Sequence, residues 1–348
     1  MSYSCKILLD SISETGKRIT TFEITFPRIV LSEFNTHRMF SRNSASSRAI
    51  PFSKMLERVK EDPFIPEQFP VNTKGMQPQA YITEGPLFSY AKDAWKMALE
   101  DAIKSAIRLQ KSISNIVLNK EDLTIHKQLV NRLLEPFMWH TVIVTATEFD
   151  NFFKLRCDEN AQYEIRRIAD LMYEAYHAFD NNMHENSRLA LTGTVNNTRW
   201  LAIKPQKLKV GEWHCPLVSE EDNEQILSHC KSNTMILINN QWIDCKEENH
   251  SFWKKKISVA RCARVSYLTH DGKRDIEKDL ELFERLRTSG HWSPFEHVAT
   301  PYFGTKEKPI FQGMYMIEGN VKSGNFIGWK QFRKEFQDEN CSNFRKES

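Results

Sequence analysis

Fourteen consecutive residues, Asn35 to Arg48, hold three arginines, one histidine, four serines and two asparagines, with little that is apolar. Arginine forks and serine hydroxyls suit phosphate or carboxylate oxygens. The same composition also suits a solvated basic loop. Two further stretches concentrate reactive groups. In the first, Arg156 stands just ahead of an expected helix start at Asp158. Backbone N–H groups at such a start, with an arginine beside them, hold anions, although an ion pair with Asp158 or Glu159 would also account for it. In the second, His291-Trp292-Ser293-Pro294-Phe295-Glu296-His297 places a carboxylate near two imidazoles, an arrangement that can orient a histidine for proton transfer. A turn whose histidines only satisfy backbone groups is the plainer alternative. The spacing matches no strong zinc pattern, so no metal is expected.

Elements able to position these groups are legible around them. Thr21 to Phe26 alternates polar and apolar as a half-buried strand does, and residues 3–31 read as two or three strands. Ser53 is placed to cap a short helix through Val59. Four prolines between Asp62 and Gly85 mark an irregular connection. Apolar residues at three- and four-residue spacing predict a long helix over Leu87–Leu118 and a second over 121–134, which ends before Pro136. Thr141–Thr147 is β-rich, with a helix start as the alternative. A helix from Asp158 or Glu159 to about Phe179 follows. Residues 181–256 read as short strands and loops. A helix at about 275–289 then leads to Gly290 and the histidine corner. Val298–Phe303 and Gly324–Phe332 read as extended, Trp292 and Trp329 as core, and the last dozen residues as frayed.

Composition narrows the class. The 348 residues carry a net charge of +3, too small to indicate nucleic acid, whose binders concentrate basic charge on one face. The N-terminus lacks the features of a signal peptide and no apolar run approaches the ~18 residues of a membrane span. Seven scattered cysteines with no Cys-x-x-Cys argue against a disulfide framework or structural zinc. These observations predict a cytoplasmic, thiol-reduced protein with no membrane association. Twelve glycines form neither a dinucleotide-binding fingerprint nor a P-loop, so any cofactor must be held by side chains.

Four motifs together resemble the flavin-dependent thymidylate synthases. His37-Arg38, seven residues and Ser46-Ser47-Arg48 resemble the family's Arg-His-Arg-(seven residues)-Ser-x-Arg signature, with Thr36 in place of the first arginine. Asn151 to Arg156 with Asn160 to Arg166 is similar to its Asn-Phe-Leu-x-Leu-Arg…Ala-Gln-x-Glu-Ile segment. Cys262 to Ser266 and Gly290 to His297 are similar to Ala-Ala-Arg-Val-Ser and Gly-His-x-Ser-Pro-Phe-Glu-His. In typical members the Ser-Pro-Phe-Glu-His corner precedes the arginine-rich loop. Here it follows by about 250 residues, and Gly328 to Arg333 resembles a degenerate copy of the family's lead-in to that loop.

The resemblance implies an α+β fold: an antiparallel-rich sheet flanked by long helices, with sites at subunit interfaces of a homotetramer. It divides the chain into 1–180, an insert at 181–256 of no legible role, a second family-like region at 257–336 and a polar tail at 337–348. It implies FAD, NADPH and methylenetetrahydrofolate, and a pyrimidine deoxynucleotide monophosphate, dUMP, methylated at C5. By the same matching His291, Ser46 and Arg156 are catalytic. Glu33, Ser44, Ser46, Ser47, Arg48, Arg132 and Arg156 face the nucleotide. His37, Arg38, Ser41, Asn43, Asn151, Asn160, Ser266, Ser293 and Glu296 surround the flavin. His291 and Ser266 are then expected to return to the site of Arg38. Glu33 and Ser44 replace the family's Gln and Glu, Ala49 its Tyr and Asn160 its His. Exchanging an amide for a carboxylate removes a donor, and sites that read base hydrogen bonds discriminate strongly. Another pyrimidine such as dCMP, or a hydroxymethyl product, is therefore the first alternative. A non-catalytic nucleotide- or RNA-binding relative is the second.

Overall fold

The computed structural model describes residues 2–75, 77–111, 124–180, 189–231, 235–238, 241–244, 250–270, 272, 274–302, 307–311, 314–317, 322–337 and 339. In chain order the elements that matter to the site begin with β1 (Ser4–Ser13), β2 (Arg18–Pro27), β3 (Ser41–Ser44), α1 (Phe52–Glu61), α2 (Gly85–Lys111) and β4 (Trp139–Ala146). Next are α3 (Asp150–Arg156), α4 (Tyr163–His177), β5 (Ala190–Val195), β6 (Thr198–Ile203), β7 (Gln206–Leu208) and α5 (Glu220–Lys231). The series ends with α6 (His250–Arg264), α7 (Ile276–Thr288), β8 (Ala299–Pro301) and β9 (Trp329–Gln331).

Seven strands form the main sheet in the order β3-β4-β2-β1-β6-β5, with β7 also alongside β1. Only the pairings of β1 with β6 and β7 are parallel. The fold is thus α+β with a largely antiparallel sheet, as expected.

The alternation in β2 places Phe22, Ile24 and Phe26 on one face, beside Val142, Val144 and Ala146 of β4. The apolar stripe of α4 (Ile165, Ile168, Ala169, Met172) closes that face. The opposite face carries Thr21 and Thr25 of β2 and Thr141 and Thr145 of β4. A half-buried strand would leave it wet, yet Thr21 and Thr145 are wholly buried, because the C-terminal half of the chain packs on it. Cys262 of α6 and Val265, just past its end, meet Ile143 there. Buried hydroxyls need partners, and two histidines supply them. His214 Nδ1 lies 2.8 Å from Ser11 Oγ, and its Nε2 2.8 Å from Thr21 Oγ1. Thr21 Oγ1 reaches Thr145 Oγ1 at 2.7 Å, which reaches His297 Nδ1 at 2.8 Å. His270 adds a bond to the Glu23 carboxylate on β2.

Several local expectations are corrected. Ser53 lies inside α1, whose N-cap position is Pro51. The helix expected over 121–134 is, within the described residues, one turn at Lys127–Val130 followed by a 3-10 segment, Asn131–Phe137. There the Asn131 amide donates to the Ser47 and Ile50 carbonyls, and Pro136 lies inside the segment. Thr141–Thr147 falls mainly in strand β4. The helix expected from Asp158 begins at Tyr163, because Asp158 folds back to accept the Asn160 N–H at 2.8 Å. Arg156 therefore ends α3, a full turn region away from the start of α4. Residues 190–208 add strands to the main sheet, and α6 runs unbroken across the 256/257 division. Trp292 and Trp329 are core residues, as expected. The far end of the Leu87–Leu118 helix and most of the 337–348 tail lie outside the described residues.

Burial pushes the imidazoles of His214 and His297 down to about 3, and His140, buried beside Arg28, to about 3 as well. Unfolded histidine takes a proton near pH 6.5, whereas these stay neutral in the fold. Stability is therefore fully present above about pH 6.5 and falls as pH drops toward 3, by up to ~1.4 kcal/mol per pH unit for each histidine. Thermal unfolding followed from pH 7.5 to pH 5 should show this decline. A His297→Gln variant should show a shallower one, and equal slopes would contradict the assignment.

Candidate active site

Beyond β3 the loop stays in register with β4: the Ala45 N–H donates to the Thr141 carbonyl at 2.9 Å. The next amide, Ser46 N–H, crosses to the Ser266 carbonyl at 3.0 Å. Ser266 lies in a 3-10 turn, Val265–Tyr267, that follows α6. The turn closes on Leu268 at φ 55°, a left-handed conformation costing a side-chain-bearing residue ~1–3 kcal/mol, so the surrounding packing must impose it. Arg264, one residue before the turn, is fixed by Asp279 of α7 at 2.7 Å. Arg261 binds Asp279 and Asp222 together at 2.8 and 2.6 Å, which locks α5, α6 and α7 to one another.

α7 delivers the histidine corner. Ser289 Oγ donates to the Arg285 carbonyl at 2.7 Å and lies 2.8 Å from His291 Nδ1. The hydroxyl has one proton, and the helix carbonyl takes it, so the oxygen accepts from Nδ1–H. His291 Nε2 is left with its lone pair, as a general base requires.

The loop and the corner meet across a cavity of about 900 Å3 lined by Asn43, Ser46, Arg48, Ser266, His291 and Ser293. Ligand clefts span roughly 300–1,000 Å3, so this one is large. Its wall includes three arginines (Arg48, Arg264, Arg285) and two histidines (His126, His291), and no carboxylate. Arg264 is neutralised by Asp279. Among the described residues, Arg48 and Arg285 have no acidic partner. Asn43 Oδ1 is buried with no hydrogen-bond partner among the described residues. A cavity of this make-up accepts an anion.

The other end of the loop forms a second cationic group. Arg156 Nε donates to His37 Nε2 at 2.9 Å, so His37 is the neutral tautomer protonated at Nδ1. Burial, then the charges of Arg156 and Arg42, push this imidazole down to about 4. Burial, and then Arg38, likewise lower Arg42. Ser41 is held by Asn325 and Gln331 at 3.1 and 3.3 Å, the second from the segment resembling the family's lead-in.

The remaining expected site residues lie off the cavity. Ser47 and Arg132 donate to Glu135 Oε1 at 2.7 and 2.9 Å, and Arg28 joins the same carboxylate. Glu33 accepts from Ser32, and Ser44 pairs along β4 opposite Val142. Glu296 is bound by Arg333 at 2.5 Å. Asn151 is exposed on α3 and Arg38 is exposed on the loop. Asn160 borders a separate cleft of about 550 Å3 with Tyr163. Ser266 and His291 therefore return to the loop within one chain, at its Ser46–Arg48 end and not at Arg38. Sequence reading missed Glu135, Asp279, Asn325 and Gln331, which reach Ser47, Arg261 and Ser41 across long stretches of chain that leave no spacing signal, and Arg285, which only the fold brings to the cavity. Among the described residues, no cluster of three or more His, Cys, Asp or Glu side chains is placed to hold a metal. No helix among them is long and apolar enough to cross a membrane.

The arginine-rich loop falls within a stretch that matches a known family. Residues 17–179 match the family described as Thymidylate synthase complementing protein. The corner and the Ser266 turn lie outside the matched stretch. Among solved structures, the chain is similar to a UMP/dUMP methylase, PolB from Streptomyces cacaoi, bound with 5-Br dUMP. That similarity is 16% identity with a TM-score of 0.34, over 46% of this chain and 66% of that one. No curated protein matches.

Removing the Arg156 charge should let His37 titrate higher. Arg156→Ala should raise its midpoint from about 4 toward, though not reaching, the ordinary 6.5, because burial remains. Histidine ring resonances followed by NMR against pH measure it directly. An unmoved midpoint would remove Arg156 from the electrostatics of the loop.

Proposed function

We propose that the protein transfers a one-carbon unit from methylenetetrahydrofolate to C5 of dUMP and reduces it, giving dTMP, with FAD and NADPH. The observation that carries this reading is the carboxylate-free cavity in which Asn43, Ser46 and Arg48 face Ser266, His291 and Ser293. Motif residues that lie some 250 positions apart in sequence share one wall-to-wall site. The family match over residues 17–179 supports the same class of chemistry.

The residues also fit a flavin dinucleotide. Arg156 and Arg42 stand near a neutral His37, and Arg38 near Arg42; burial is the larger cause of the lowered His37 and Arg42, and the neighbouring cations add a repulsion that an anionic pyrophosphate would relieve. Asn43 Oδ1 leaves an open buried acceptor for an N–H donor. When bound, the flavin supplies the hydride that reduces the transferred carbon. The protein's own residues do the rest. Arg48 binds the nucleotide phosphate by charge-assisted hydrogen bonds. His291 Nε2 offers a lone pair to a proton on a bound reactant, and Ser289 fixes its orientation. Ser46 presents its hydroxyl beside Arg48. Sites of a homotetramer spanning subunits would give Arg156 and Asn160, which do not line this cavity, a neighbour's ligand to contact. Leu87, Tyr90 and Met97, exposed along one side of α2, suit such an assembly.

Purified protein should show a flavin absorption band and should release tritium from C5-labelled dUMP only with methylenetetrahydrofolate and NADPH present. Release from labelled dCMP instead would assign a different acceptor, and colourless protein without release would leave a nucleotide-binding relative. Arg48→Ala should weaken dUMP binding by about 10- to 100-fold while flavin absorbance is retained. Equal loss of both ligands would contradict the separation of the loop into two ends.

A further inference from the structure

Arg285 belongs to none of the four motifs, yet it lines the same cavity as Arg48, from α7 and not from the loop, and has no acidic partner among the described residues. It stands one helical turn before Ser289, which orients His291, so Arg285, Ser289 and His291 form one continuous wall. The cavity does not end there. A groove of about 640 Å3 runs on from it along α7 and shares Arg264, Leu282, Arg285 and Ser289 with it. In this groove Lys278 is paired with Asp275 at 2.7 Å and lies in the field of Glu281, the groove's other carboxylate, while Glu284 is paired with Lys256 at 2.6 Å. Arg264 is matched by Asp279. Among the described residues of the groove, the cation left to recruit an anion is Arg285, at the junction of cavity and groove.

A nucleotide monophosphate has one phosphate, and Arg48 already faces it from the loop. A second uncompensated cation on the α7 side of the cavity, near the histidine and shared with the adjoining groove, calls for a second reactant. That reactant would place its reacting end near His291 and carry its anionic end outward. We propose that Arg285 binds the glutamate carboxylate of the folate one-carbon donor, and that the groove along α7 holds the tail. This inference rests on the functional reading given above. Leu282 offers an apolar contact for the stem of the tail, and Thr288 a hydroxyl at its rim.

The test is steady-state tritium release with each substrate varied in turn, comparing wild type, Arg285→Ala and Arg285→Lys. Loss of a charge-assisted carboxylate contact should raise KM for methylenetetrahydrofolate about tenfold or more in the alanine variant. Lysine should restore part of it, and KM for dUMP and for NADPH should stay near wild type. Triglutamyl donor should lose more of its advantage over monoglutamyl donor in Arg285→Ala than in Arg285→Lys. An equal rise in KM for dUMP would make Arg285 a phosphate ligand, and a rise confined to NADPH would assign it to the dinucleotide. No change in any KM would make it a solvated arginine. Each of these outcomes overturns the inference while the wild-type reaction leaves the functional reading intact. Wild-type protein that binds neither dUMP nor tetrahydrofolate, titrated by fluorescence, overturns both.

Discussion

The buried polar seam from Ser11 through His214, Thr21 and Thr145 to His297 is the contact on which the rest of the structure depends. An antiparallel sheet with one polar face ordinarily leaves that face in water. Here the threonines are buried, and burial of a hydroxyl without a partner costs ~1–3 kcal/mol. Neutral imidazoles remove that cost, since each offers one donor and one acceptor while a hydroxyl rotates to match. The seam fixes where the C-terminal half docks, and therefore where the His291 corner stands relative to the arginine loop.

Charge is sorted as strictly as polarity. Carboxylates near the site are committed elsewhere: Asp279 to Arg261 and Arg264, Glu135 to Arg28 and Arg132, Glu296 to Arg333. These pairs leave the cavity wall without a negative group while its helices stay firmly tied. The result is a positive pocket whose own structure does not neutralise it, the condition for holding an anion in place of solvent.

Much of this was readable from sequence where the signal is local. The alternation in β2, the stripe of α4 and the composition of the Asn35–Arg48 loop each speak through neighbours within a few residues. The corner was legible as a motif and its chemistry followed from residue types. What could not be read was the burial of Thr21, since its partner His214 lies 193 positions away and no periodicity connects them. Arg156 was misplaced for a related reason. The sequence pattern points to a helix start at Asp158 or Glu159, but the Asp158 side chain makes a local turn with Asn160, and the imidazole that meets Arg156 lies 119 residues earlier. Arg285 resembled any exposed helical arginine until the fold put a cavity in front of it.

The crossing of the Ser46 amide to the Ser266 carbonyl has one more consequence. Because both walls of the cavity are contributed by a single chain, their meeting is a unimolecular event, governed by an effective concentration set by the intervening polypeptide and not by how much protein is present. Dilution cannot pull these walls apart. Whatever assembly the protein adopts, the pairing of loop and corner is settled when one chain folds, and association with further copies is free to tune what enters.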